Sequence, residues 1–122
     1  MGITSNLDPV LSLTLGTSDV TTLEMADAYA TIANGGTHYD AIAIEQILDR
    51  KGNVLLDASS PEGEQALSPE VACAARKVME GVINGGTGMA ARINTGQPAA
   101  GKTGTSENYM DSYFAGFTPE LS

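Results

Sequence analysis

Positive charge is scarce in this chain: six lysines and arginines face fifteen aspartates and glutamates, a formal charge of −9 over 122 residues. A field of that sign disfavours nucleic-acid phosphates and anionic lipid surfaces, and it favours solubility more than any specific partner. Cysteine occurs once, at Cys73, so no internal disulfide can form and the redox compartment stays undefined. Cys73 lies beside the apolar stripe of an expected helix and reads as an inert small hydrophobe. Histidine also occurs once, and His38 has no evident second ligand to hold zinc. No run of about 18 apolar residues exists, and no basic start precedes an apolar segment, so neither a membrane span nor a targeting signal is legible.

What is present suffices for one small globular core, since 42% of the residues are hydrophobic. A chain of this size buries only about two thirds of its unfolded surface, which leaves little room for a deep cleft between subdomains. Thr21 or Thr22 caps a predicted helix with Leu23, Ala26, Ala30 and Ala33 on its apolar face, widened by Met25, Tyr29 and Ile32. Asn34-Gly35-Gly36 ends it. Ile42 and Ile44 alternate in a predicted strand from Ala41 to Asp49, and Asp49-Arg50-Lys51-Gly52-Asn53 turns the chain back through Val54-Leu55-Leu56. Ser59 to Glu64 reads as a polar connector. Ser68-Pro69-Glu70 opens a second helix with an N-cap, a first-turn proline and early negative charge. Its predicted buried stripe is Val71, Ala75, Val78, Met79 and Val82, ending at Asn84-Gly85-Gly86.

Asn-Gly-Gly-Thr occurs at Asn34 to Thr37 and again at Asn84 to Thr87, which suggests one helix-stop solution used twice. Thr87 to Asn94 is short helical or irregular. The last part reads as antiparallel strands, Ala99 to Ser106 and Ser112 to Thr118, joined by a polar turn at Glu107 to Asp111. Phe114 and Gly116 share one face of the last strand, and Tyr113, Ala115 and Phe117 the other. Bulk on both faces predicts a strand covered on both sides, with the three aromatic rings serving sheet packing.

The chemistry concentrates in Ala100-Gly101-Lys102-Thr103-Gly104-Thr105-Ser106, where Lys102 is the only basic residue after Arg92. Gly96 to Thr103 has the spacing of a nucleotide-phosphate loop. Its setting is wrong for one: no strand pattern precedes it, Pro98 removes an N–H from the anion nest, and no apolar run ending in Asp follows to hold magnesium. Lys102-Thr103-Gly104 instead matches the lysine-threonine-glycine signature of serine acyl-transfer sites.

Several stretches then agree at once. Leu15-Gly16-Thr17 through Glu24-Met25-Ala26, Ala28-Tyr29-Ala30-Thr31-Ile32-Ala33-Asn34-Gly35-Gly36, Gly86-Thr87-Gly88, Gly101-Lys102-Thr103-Gly104-Thr105 and Asp111 to Pro119 together resemble the C-terminal part of the transpeptidase domain of class A, bifunctional penicillin-binding proteins. The resemblance covers nearly the whole chain. It implies a mixed α/β (α+β) fold like that of serine beta-lactamases, with antiparallel sheet strands flanked by helices, over residues 1–122 as a partial domain. Acyl transfer needs a nucleophile, a base and oxyanion donors. The family's Ser-x-x-Lys and Ser-x-Asn elements are missing here and are expected upstream of Met1, so this piece alone is expected to be inactive.

The resemblance implies roles for the wall that remains. Lys102 supplies positive potential for the substrate carboxylate, Thr103 and Thr105 offer hydroxyl donors, and the Thr105 N–H is the oxyanion donor. Gly104 lets an acyl peptide or beta-lactam lie against the strand. Alternation sets a problem: Thr103 and Thr105 share a face that Lys102 and Gly104 do not. The parent reaction is cross-linking of peptidoglycan stem peptides by serine acyl transfer, with no metal or organic cofactor implied. The family works outside the cytoplasmic membrane, anchored by an N-terminal helix. Partners are the stem peptide or beta-lactam and the remainder of the domain, with self-association through open strand edges. A noncatalytic binding or scaffold module that keeps part of the fold is the alternative.

Overall fold

The computed structural model describes residues 1–106 and 110–122. Two helices lie against an antiparallel strand pair, and two smaller pairs extend from them. Helix α1 runs Thr22–Ala33 and starts at a capping box: the Glu24 amide donates to Thr21 Oγ1 at 3.2 Å, and the Thr21 amide donates back to Glu24 Oε2 at 2.9 Å. The same carboxylate accepts from the amides and hydroxyls of Thr4 and Ser5 at 2.6–2.8 Å, which ties the amino-terminal segment to the helix.

The fully buried residues of α1 are Ala28, Thr31 and Ile32; of the predicted face, Ile32 is buried and Tyr29 and Ala33 pack on the core, but Leu23 is 65% exposed. Thr31 is tolerated inside because its hydroxyl donates to the Asp27 carbonyl at 3.0 Å. Gly35 and Gly36 then adopt φ of 67° and 91°, and the Gly36 amide reaches back to the Thr31 carbonyl at 2.8 Å. A Cβ on Gly36 would strike the Leu67 carbonyl, so this stop is also a close crossing of two chain segments.

Strand β1 (Thr37–His38) pairs antiparallel with β4 (Glu64–Gln65), which lies at the end of the expected connector. Strands β2 (Gln46–Leu48) and β3 (Val54–Asp57) form the predicted hairpin. Its turn is held by Asp49, whose carboxylate accepts from the Lys51 and Asn53 amides at 2.7 and 2.9 Å. The strand predicted from Ala41 shrinks to three residues. Its pairing with β3 ends where the Ala58 amide donates to the Glu45 carbonyl at 2.7 Å, just before the Asp57 carboxylate accepts from the Ser59 amide and hydroxyl, so Ile42 and Ile44 lie beyond the ladder.

Helix α2 spans Pro69–Gly85 from a Ser68 cap that accepts the Val71 amide at 3.3 Å. Ala72 and Ile83 are buried and Ala75 and Met79 pack on the core, whereas Val71 and Val78 are 53% and 73% exposed. The predicted stripe is therefore right at Ala75 and Met79, and the buried face turns from Val71 and Val78 toward Ala72 and Ile83. The second Asn-Gly-Gly does not repeat the first stop. Gly86 is extended at φ −109°, and the Gly86 and Gly88 amides both donate to the Val82 carbonyl, at 3.1 and 3.0 Å. A 3-10 turn follows at Met89–Ala91.

Strands β5 (Ala100–Thr105) and β6 (Ser112–Phe117) form the predicted antiparallel pair, with Lys102 opposite Ala115 and Gly104 opposite Tyr113. The connecting turn predicted at Glu107 to Asp111 falls partly outside the described residues. Ile32, Ala100 and Phe117 form the core, joined by Tyr29, Ala33, Leu67, Ala75 and Met79. Tyr29 and Phe117 meet edge to face with centroids 6.3 Å apart. Covering on both sides holds only at this end: Tyr113 is 63% exposed at the other. Phe114 folds back over Gly101 and Gly116, where a Cβ on either glycine would strike its ring.

Candidate functional site

Beyond the covered end, β5 leaves the core with Lys102, Gly104 and Thr105 exposed and Thr103 half-buried. The Ser106 amide donates to the Asp111 carbonyl at 3.0 Å. Counting back two residues at a time from that bonded pair, an antiparallel ladder turns the main-chain groups of Gly104 and Lys102 toward β6. Those of Thr103 and Thr105 face the opposite edge, which no other described strand covers. This is an open strand edge with free donors and acceptors.

Side chains converge on the same edge. The Lys102 ammonium donates to the Thr103 carbonyl at 2.5 Å and stands 3.4 Å from Thr103 Oγ1. The alternation problem is thereby resolved for this pair: the long lysine stem bends around the strand edge and brings its charge to the threonine's side. Thr103 Oγ1 also lies 2.8 Å from Thr87 Oγ1, a contact that reading the sequence missed. Nothing in the spacing of 87 and 103 signals it, because the turn after α2 has to carry Thr87 onto β5. Among the described residues Lys102 forms no ion pair with a carboxylate, so its charge is uncommitted.

At Gly104 an added Cβ would meet no atom within 4 Å, and its φ is not positive. Neither internal packing nor backbone strain requires glycine there. Gly101 is different, since β6 and Phe114 crowd it from inside the fold. The cavities, of about 200 and 260 Å³, lie at the Ala99-Ala100 end of β5 and include neither Lys102 nor the threonines. The site is an edge rather than a closed pocket.

The phosphate-loop spacing fails on geometry. Lys102 and Thr103 sit inside a strand instead of opening a helix, and Gly96 belongs to an irregular turn with φ 82°. His38 is buried with its Nε2 2.8 Å from Asp27 Oδ2, and among the described residues no group of three metal-ligating side chains exists. Ser106 is tied to the turn, its Oγ accepting the Asp111 amide at 2.8 Å.

The chain thus combines an antiparallel pair backed by two helices with Lys-Thr-Gly-Thr running out along its open edge. The family model described as the penicillin binding protein transpeptidase domain matches residues 5–121, and the chain belongs to that family. It is 35% identical over 121 residues to penicillin-binding protein 1A of Neisseria gonorrhoeae, covering 96% of this chain and 15% of that protein. The chain thus spans about a seventh of that relative's length. The D,D-transpeptidase domain of a peptidoglycan glycosyltransferase from Eggerthella lenta is 38% identical with a TM-score of 0.73, over 81% of this chain and 24% of that one. The PonA1 protein from Mycobacterium tuberculosis, solved in complex with penicillin V, is 28% identical with a TM-score of 0.78, over 91% of this chain and 30% of that one.

Proposed function

We propose that this chain forms one wall of the acyl-transfer site of a peptidoglycan D,D-transpeptidase, the nucleophile lying in another part of the same polypeptide. The observation that carries the reading is the open edge of β5, with the Lys102 ammonium bent onto it beside Thr103 and no described carboxylate to neutralise it. In the reaction, a serine oxygen attacks the carbonyl carbon between the two D-alanines of a stem peptide. The amide bond breaks, D-alanine leaves with the proton, and an amine of a neighbouring stem displaces the serine oxygen to form the cross-link.

Each wall residue has a physical task in that sequence. Lys102 draws the carboxylate of the terminal D-alanine or of a beta-lactam to the edge, and the Thr103 and Thr105 hydroxyls donate to it. The Thr105 N–H points off the open edge and stabilises the oxyanion as the carbonyl becomes tetrahedral. Gly104 keeps the strand bare, so the acyl donor lies along it and shares its main-chain hydrogen bonds. The open space at its Cβ position fits this task, because no atom of the chain beyond its immediate neighbours lies within 4 Å of it. The whole protein would work on the outer face of the bacterial cytoplasmic membrane, anchored elsewhere in its sequence. No helix among the described residues is long and apolar enough to cross a membrane.

Labelled penicillin tests the reading in two arms. The 122-residue chain alone has no Ser-x-x-Lys and is expected to form no covalent adduct; a stoichiometric adduct would show that the nucleophile lies within it. In the full-length polypeptide, Lys102→Ala is expected to slow acylation on the order of a hundredfold, the size typical of removing one group that stabilises the transition state. Unchanged labelling would instead favour a noncatalytic wall.

A further inference from the structure

We infer that Thr87 is a positioning residue for this wall, and that its hydroxyl, by donating to Thr103, strengthens the hydrogen bond that Thr103 gives to the ligand. The inference rests on the proposed function of β5. Thr103 Oγ1 has one proton to give and two lone pairs to fill. Its neighbours are Thr87 Oγ1 at 2.8 Å and the Lys102 ammonium at 3.4 Å. The ammonium is only a donor, whereas the Thr87 hydroxyl can give or accept.

An arriving carboxylate accepts and never donates, so it selects one arrangement. Thr87 donates to Thr103 Oγ1, Lys102 fills the second lone pair, and the Thr103 proton turns outward to the ligand. Chained hydrogen bonds polarise one another, so an inward donor strengthens the outward one. Without Thr87 the Thr103 oxygen loses its inward donor, and the hydrogen bond that its proton gives to the ligand loses that polarisation.

The turn that carries Thr87 is built for close approach. Gly86 and Gly88 flank it and both donate to the Val82 carbonyl, and a Cβ on either would crowd Val82 at 2.9–3.1 Å. Gly88 is buried while Thr87 itself is exposed, so the backbone is fixed by its neighbours and the threonine side chain is available for another role. The Gly-Thr-Gly run thus serves as a mount for one hydroxyl.

The test uses the full-length polypeptide, with acylation rates for a penicillin and for its methyl ester, which lacks the carboxylate. Thr87→Val is expected to lower the rate with the free acid about five- to tenfold, the size of one net hydrogen bond. Thr87→Ser should restore it to within about twofold, and the ester should react alike with all three proteins. A Val variant equal to wild type with the acid, an equal loss with acid and ester, or no rescue by serine overturns the inference. If the Val variant melts early, Thr87→Ala with the same acid-to-ester ratio decides. Lys102→Ala separates the two layers: if it leaves the free-acid rate unchanged, the reading of β5 fails, and if it alone lowers that rate, only the role of Thr87 fails.

Discussion

Lys102 shows why single residues were easier to find than to orient. Its scarcity made it stand out in an acidic chain, but its strand face pointed it away from the threonines. Only the length of its stem, which no pattern of alternation encodes, brings the ammonium to the Thr103 side. Glu24 is the opposite case, a surface carboxylate whose several partners are separated in sequence. The Ser5 hydroxyl above all, then the Thr21 and Thr4 amides and the Thr4 hydroxyl, hold its carboxyl far below the usual carboxylate range. A carboxyl with a depressed folded pKa stabilises the fold while ionised, fully above its ordinary value of 4.5 and progressively less as pH falls toward the folded value. The melting-temperature gap between wild type and Glu24→Gln is therefore widest near neutrality and narrows below about pH 4.5. A gap that stays constant into strong acid would contradict this. Gly101 gives a second test at this scale. Its Cβ position lies 2.5 Å from the Phe114 ring and 2.7 Å from the Ala115 carbonyl, so Gly101→Ala is expected to cost about 1–3 kcal/mol in urea unfolding, and no loss would mean that β6 can give way.

Among the elements, both helices and the final strand pair were legible because their ends carry strong local signals. Thr21 and Ser68 cap, Pro69 opens a first turn, and a polar stretch separates the two strands β5 and β6. Helix faces were partly legible: Ala75 and Met79 of the expected stripe pack on the core, but Ala72, which is 1% exposed, and Ile83 flank them in place of Val71 and Val78. Val71 and Val78 are apolar yet outside, which apolar residues on a protein surface commonly are. Ile83→Ala should accordingly cost about 2–5 kcal/mol, while Val78→Ala stays within about 0.5 kcal/mol. Equal losses in denaturant titrations would return the buried face to the valines. The repeated Asn-Gly-Gly stops its two helices in different ways. Left-handed glycines end α1, but α2 ends on a shared Val82 carbonyl, because the chain after α2 must climb onto β5 rather than cross Leu67. Strands β1 and β4 are two residues each, with Thr37 and Gln65 paired across 28 positions, too short for any alternation to announce them.

At the scale of the molecule, the core gathers where α1, α2 and the Ala100-Phe117 end of the strands meet, and the proposed site lies where that cover stops. This separation lets β5 be rigid at one end and bare at the other. The β2–β3 hairpin is exposed along its whole length, Leu55 at 68%, in keeping with a chain that spans 15% of a full-length relative. On this view the outer edge of β5 receives the carboxylate and the reacting carbonyl of an acyl donor. A crystal structure of the full-length polypeptide acylated by penicillin tests that claim most directly. The carboxylate is expected within hydrogen-bonding distance of Lys102 and the Thr103 hydroxyl, and the acyl oxygen on the Thr105 amide. An acyl group seated with that edge empty, or with the Lys102 ammonium turned from the ligand, would contradict it.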